Sequence, residues 1–186
     1  FDFIKVDLFD VDFSNLKDIN NEIVGWLQLE STNINYPVVQ HSDNEYYLTH
    51  TYNKKYNSSG WVFMDYRNKI EDYNYDKNTI IYAHGRVNGT MFGTLKNTLS
   101  EKWFNNSDNH IIKFVSETNK TAWQIFSVYR IPTTSDYLQV DFISDEDFLD
   151  FGNKLIKRSD YNFNTNLNAL KTIEESQQSI LSNLPE

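Results

Sequence analysis

The chain contains no cysteine among its 186 residues. That absence excludes disulfides, cysteine-ligated zinc and a thiol nucleophile from the sequence as it stands. Glycine and proline are scarce, at six and three, and nowhere do they gather with serine into a linker, so no domain boundary is marked. No apolar run reaches the roughly 18 to 20 residues that cross a bilayer, and no basic-then-apolar leader opens the chain. Positive charge is also in short supply: 17 lysines and arginines stand against 26 aspartates and glutamates, a net charge of −9 with a pI near 4.9. Such a surface repels nucleic-acid phosphates and anionic lipid headgroups alike, so neither is an expected partner.

What is present suffices for one core. Hydrophobic residues make up 39% of the chain and aromatics 16%, enough to fill a single interior, and residues 1–186 are read as one globular domain. Beginning at Phe1 rather than at a methionine, the chain reads as a trimmed or processed product, which leaves room for an anchor to have been removed.

Along the chain the hydrophobic period changes several times. In "DVDFSNLKDINNEIVGWLQL", Phe13, Leu16, Ile19 and Ile23 fall at helical spacing, with Ser14 as the expected N-cap. "GWLQLESTNINYPVVQ" alternates apolar and polar residues about a turn at Glu30 to Asn33, and Pro37 marks an edge strand or a strand start. Further strands are expected in "SGWVFMDYR", "NTIIYAH", "HIIKFVS" and "TAWQIFSVYRI", parted by turn-forming clusters of Asn, Asp, Gly and Lys, with a helical break at "MFGTLKNTLSEKWF". Short strands at this spacing over residues 33–131 predict a barrel or sandwich rather than a parallel βαβ sheet. "SDEDFLDFGNKLIKRS" predicts an amphipathic helix: Ser144 and Asp147 stand three apart as an N-cap pair, and Phe148, Phe151, Leu155 and Ile156 form its stripe. Leu170, Ile173, Gln177, Ile180, Leu181 and Leu184 share one face at period 3.6 and predict a last helix within 166–186. The fold class expected is mainly β with flanking helices, α+β.

Chemistry is sparse. The histidines His41, His50, His84 and His110 include no pair at i, i+4, so no metal site is expected. "GRVNGTMFG" lacks the spacing of a phosphate-binding loop, and its glycines read as turn residues at positive φ. The carboxylates of "SDEDF" fall in the first turn of the predicted helix, where they complement the macrodipole. No G-x-S-x-G elbow singles out a serine. His84, carried by the β-formers Thr79 to Tyr82 into a glycine-bearing loop, reads on the residues alone either as a base awaiting a nucleophile or as an ordinary polar residue at the end of a strand.

The stretch around that histidine, "NTIIYAHGRVNGTMFGTL", resembles the histidine motif of class B sortases, the bacterial surface transpeptidases. "NNEIVGWLQLESTNINYPVVQHSDNEYYLTHTYN", "SGWVFMDYRN" and "SDYLQVDFISDEDFLDFGNKL" fit the same family in the same order, so the resemblance covers about residues 13–165. It implies a sortase-like β-barrel with N-terminal helices, a membrane anchor upstream of Phe1, and a position at the extracellular face of the cell membrane or in the cell wall. In that family a cysteine thiolate attacks the Thr carbonyl of a C-terminal sorting motif, and the thioester passes to an amine of the cell wall. The expected partners are therefore a sorting-motif peptide of surface proteins and a peptidoglycan amine acceptor. No cofactor is implied.

On this resemblance His84 is the catalytic histidine. Asn44 and Leu48 in "DNEYYL", with Thr133, Tyr137 and Leu138 in "TTSDYL", occupy substrate-groove positions, the last three in the loop that covers the peptide. Taken as residues alone, Leu48, Tyr137 and Leu138 fit core packing equally well, and Asn44 and Thr133 fit turns. The departure lies after Asn164. Where the family has a strand ending T-L-x-T-C and a last strand bearing an arginine, this chain reads "TNLNALKTIEESQQSILSNLPE", as if the last two strands were missing or replaced by a helix. Arg67, Arg86, Arg130 and Arg158 all precede that point, so none matches the family's arginine. Two expectations follow: a class B sortase-type transpeptidase that is inactive in this chain for want of its cysteine, or a non-catalytic sortase-like module for binding or assembly at the bacterial surface.

Overall fold

The computed structural model describes residues 6–71 and 74–165. These fall into two units, one of residues up to Ile125 together with Pro132–Asp141, the other of Phe126–Ile131 together with the chain from Phe142.

In the first unit a short helix, α1 (Phe13–Ile19), leads into a hairpin of β1 (Ile23–Leu29) and β2 (Asn35–Val39). The helix cap is Asp12 rather than Ser14: its carboxylate accepts from the amides of Ser14 and Asn15, at 3.1 and 3.4 Å, so the helix begins one residue before Ser14. Ile23, expected on the helix, opens β1. Alternate residues of β1 are buried, and Gly25 falls on that inward face. A Cβ there would lie 2.2 Å from Cζ of Phe114, so the missing side chain makes room for an aromatic ring.

After a 3₁₀ turn at Tyr46–Leu48 come β3 (Phe63–Met64), a small hairpin of β4 (Ile70–Glu71) and β5 (Asn74–Tyr75), and β6 (Ile81–Tyr82). The helical break is a 3₁₀ stretch at Leu95–Leu99 and the single turn α2 (Glu101–Phe104), followed by β7 (Ile111–Val115) and β8 (Lys120–Gln124). Six strands form a curled half-barrel sheet in the order β6-β3-β2-β1-β7-β8. All neighbours are antiparallel except β2 and β3, which meet in parallel at Val39 and Phe63. Pro37 therefore lies within a strand paired to β1, on the part of β2 that β3 does not reach. Its carbonyl accepts from the Trp61 indole at 2.8 Å.

The core gathers Phe13, Ile23, Val39, Tyr47, Phe63 and Val115, all at most 7% exposed. It joins the helix, the sheet and the 3₁₀ turn. That contact sets the Tyr46–Leu48 turn in place beside β3 and β6.

In the second unit α3 (Asp145–Arg158) is capped as expected, Ser144 Oγ accepting from the Asp147 amide at 3.1 Å, with Asp145, Glu146 and Asp147 in the first turn. Phe151 is buried and Phe142 packs on Phe148 and Phe151, with ring centroids 5.0 and 5.3 Å apart. Residues 126–131, expected to continue the strand of "TAWQIFSVYRI", are not a strand. The Val128 amide is bonded to Ser159 Oγ, and its carbonyl accepts from the Asp160 amide at 2.8 Å. These bonds to the end of α3 replace a sheet ladder. The helix expected over 166–186 lies outside the described residues.

Candidate active site

His84 stands two residues beyond β6, exposed at the start of the loop. Its Nε2 lies 3.3 Å from the carbonyl oxygen of Leu48. A carbonyl can only accept, so in the neutral ring Nε2 carries the proton and Nδ1 keeps the lone pair, the arrangement of a base with one nitrogen anchored. The Leu48 carbonyl is set by a close backbone approach. Gly60, at φ +56, passes so near that a Cβ would fall 2.3 Å from the Tyr47 oxygen and 2.6 Å from the Leu48 oxygen, and the Trp61 amide donates to Tyr47 O at 2.9 Å. Only a residue without a side chain fits that crossing.

The loop after His84 was expected to hold three glycines at positive φ. Gly89 alone has one, at +79, with Met91 beside it at +52. Gly93 answers a different need, since a Cβ there would sit 2.1 Å from Arg86 O.

At the end of β3 lies a buried carboxylate that sequence reasoning did not single out. Asp65 is fully buried. Arg67 meets it with Nε at 2.8 Å, Nη2 at 2.7 Å and its own amide at 3.0 Å. Tyr82 Oη donates at 2.7 Å and Asn44 Nδ2 at 2.9 Å. Burial works against the charged form, but these bonds, Arg67's first, outweigh it and hold the Asp65 carboxyl well below the usual carboxylate range. Burial and the bond to Asp65 push the Tyr82 phenol up. The one local sign of this centre was an acid and a base two apart at the end of the apolar run "VFM".

A second polar cluster supports the 3₁₀ turn. Tyr47, 1% exposed, donates to Glu22 Oε2 at 2.6 Å and accepts from Asn20 Nδ2 at 2.8 Å. Lys54 Nζ and His41 Nδ1 reach the other Glu22 oxygen at 2.9 and 3.2 Å. His41 and His50 each stack on the Tyr46 ring, with centroid separations of 4.5 and 4.2 Å.

Of the residues singled out from the sequence, the structure brings His84 and Leu48 together, and Leu48 is 41% exposed rather than core. Asn44 and Leu138 are joined through the Asp65 and Arg67 pair: Asn44 also accepts from the Tyr66 amide at 3.0 Å, and Leu138 O accepts from Arg67 Nη2 at 3.1 Å. Thr133 is exposed and Tyr137 half-buried in the same 132–141 segment, without a hydrogen bond to His84 among the described residues. No cluster of three metal-ligating side chains occurs among the described residues, nor any helix long and apolar enough to cross a membrane.

A curled sheet with a histidine just past one of its edge strands has known counterparts. The chain is 34% identical over 155 residues to sortase B of Staphylococcus aureus and 35% identical over 150 residues to sortase B of Listeria monocytogenes, alignments that take in 83% and 81% of it. The solved Staphylococcus aureus sortase B–substrate complex superposes with a TM-score of 0.77 at 34% identity, covering 83% of this chain and 70% of that one. No protein-family model matches. The chain belongs to the sortase B family. It spans 62% and 59% of the length of the two curated relatives.

Proposed function

We propose that this chain carries the histidine and the peptide groove of a class B sortase-type transpeptidase, acting at the extracellular face of the bacterial membrane on the sorting-motif peptide of surface proteins. In the complete reaction a cysteine thiolate adds to the peptide carbonyl, the peptide bond breaks as the leaving amine takes a proton, and the thioester is yielded to a peptidoglycan amine. His84 is the residue suited to move that proton, because its Nε2 is held by Leu48 and its Nδ1 is left as acceptor. Leu48, Tyr137, Leu138 and Thr133 are the proposed groove residues, with Asn44 at its border. The chain as it stands has no cysteine and is proposed not to turn over. The observation that supports the reading is His84 paired with the Leu48 carbonyl in a chain of sortase B sequence and fold.

Peptides taken from C-terminal sorting signals of surface proteins, titrated into isotope-labelled protein, test this. The expected result is saturable shifts at Leu48, His84 and Tyr137 with no covalent adduct by intact mass. An adduct, or no response at those residues, would sink the proposal. The missing cysteine also favours a second reading, a non-catalytic module for surface assembly; under it, binding is expected to a folded surface protein with no preference for the sorting peptide.

A further inference from the structure

Residues 132–141 hold three of the five groove positions yet contain neither helix nor strand. Bonds such as Leu138 N to Ser135 O, at 3.1 Å, shape the segment without attaching it to anything else. Two successive carbonyls tie it to residues of the β3–β6 region. Leu138 O accepts from Arg67 Nη2 at 3.1 Å, and Gln139 O from Asn78 Nδ2 at 2.7 Å.

The aim of Arg67 is imposed from behind. Asp65 takes the Nε hydrogen and one of the two on Nη2. In a planar guanidinium the remaining Nη2 hydrogen then leaves in the same plane in a fixed direction, and that direction meets Leu138. Because the carboxylate is fully buried and Arg67 only about one-third exposed, at 35%, the fork does not swing freely. Asp65 also holds Asn44 and, through Tyr82, the strand that leads to His84. One carboxylate thus sets the histidine strand, the loop of Asn44 and the donor to the 132–141 segment.

We propose that Arg67, aimed by Asp65, is the latch that holds residues 132–141 against the sheet, a positioning residue for an extended peptide in the groove. The proposal rests on the reading of that segment as the groove's cover. A lysine at this position keeps the charge opposite Asp65 but has no planar fork, so it cannot serve both carboxylate oxygens and the Leu138 carbonyl in one geometry.

Hydrogen exchange on the full chain without any peptide tests the latch. In Arg67→Lys, amides of 132–141, the Leu138 amide above all, are expected to exchange roughly tenfold faster or more, the loss of one charged hydrogen bond, with β1 and β7 amides accelerated by much less, even where the weakened Asp65 centre lowers the melting temperature. Asn78→Ala, which cuts the neutral tether alone, is expected to loosen the same segment by less. Unchanged exchange at 132–141 in a folded Arg67→Lys protein overturns the latch. Equal loosening throughout the first unit overturns it as well, since Arg67 would then serve the fold at large. As no peptide is present, the latch can fail while the groove reading stands, and the peptide titration on the parent chain tests that reading alone.

Discussion

Arg67 meets Asp65 side-on, its Nε 2.8 Å from one carboxylate oxygen and its Nη2 2.7 Å from the other. The two residues are neighbours but one, yet the pair is more than a local contact. Tyr82, 17 residues on, and Asn44, 21 residues back, close on the same carboxylate. A buried charge is tolerable only with such a full set of donors.

Asp65→Asn should therefore destabilise the first unit by about 3 kcal/mol, because an amide placed among donors leaves the Arg67 charge uncompensated. Urea melts of variant and parent measure this. A loss below about 0.5 kcal/mol, the range of ordinary surface changes, would show that the centre is not structural.

The same carboxylate makes stability depend on acid. Its folded pKa lies below the unfolded value, so its contribution is complete above the unfolded pKa of about 3.9 and is lost as pH falls toward the folded one. Glu22 acts in the same direction: burial opposes its charge, and the bonds from Tyr47, Lys54 and His41 prevail. Melts between pH 7 and pH 2 should show stability falling below about pH 4 to 5, with a shallower fall in Asp65→Asn. Parallel curves for the two proteins would contradict the assignment.

Tyr47→Phe removes a buried hydroxyl that bridges Asn20 and Glu22 and leaves both partners short of a bond. A cost of about 1 to 3 kcal/mol is expected in thermal or urea melts. A neutral result would mean that water replaces the hydroxyl.

Gly60→Ala brings a Cβ against the Tyr47 and Leu48 carbonyls at a φ of +56. Expected are a destabilisation of more than about 1 kcal/mol and a changed ring ¹⁵N spectrum for His84, as the Leu48 carbonyl shifts away from Nε2. An unaltered His84 spectrum in the folded variant would break the link from Gly60 to the histidine.

His84→Ala should leave stability within about 0.5 kcal/mol of the parent, since the ring is exposed and makes one long bond, of 3.3 Å. A large loss in the melting curve would make His84 a structural residue.

Much of this protein is written in local pattern. Alternation predicts the β1–β2 hairpin, the cap and stripe at Ser144 to Arg158 predict α3, and the charge balance excludes whole classes of partner. These properties depend on neighbours within a few positions, where period and capping act. The family too was legible, in "YAHG" and the stretches around it. The lack of cysteine fixed what chemistry the chain as written does not perform.

The tertiary structure decided what no period encodes. It moved the cap of α1 to Asp12 and turned residues 126–131 away from the strand pattern toward the end of α3, because hydrogen bonds to Ser159 and Asp160 outweighed strand propensity there. It gave His84 a carbonyl 36 residues upstream and gave Leu138 an arginine 71 residues upstream. Such partners are chosen by the path of the chain, and a single sequence carries no local trace of them. Asp65 looks in sequence like the polar end of a strand; only burial, which withdraws water and demands a protein donor for every oxygen, makes it the centre on which the site is built.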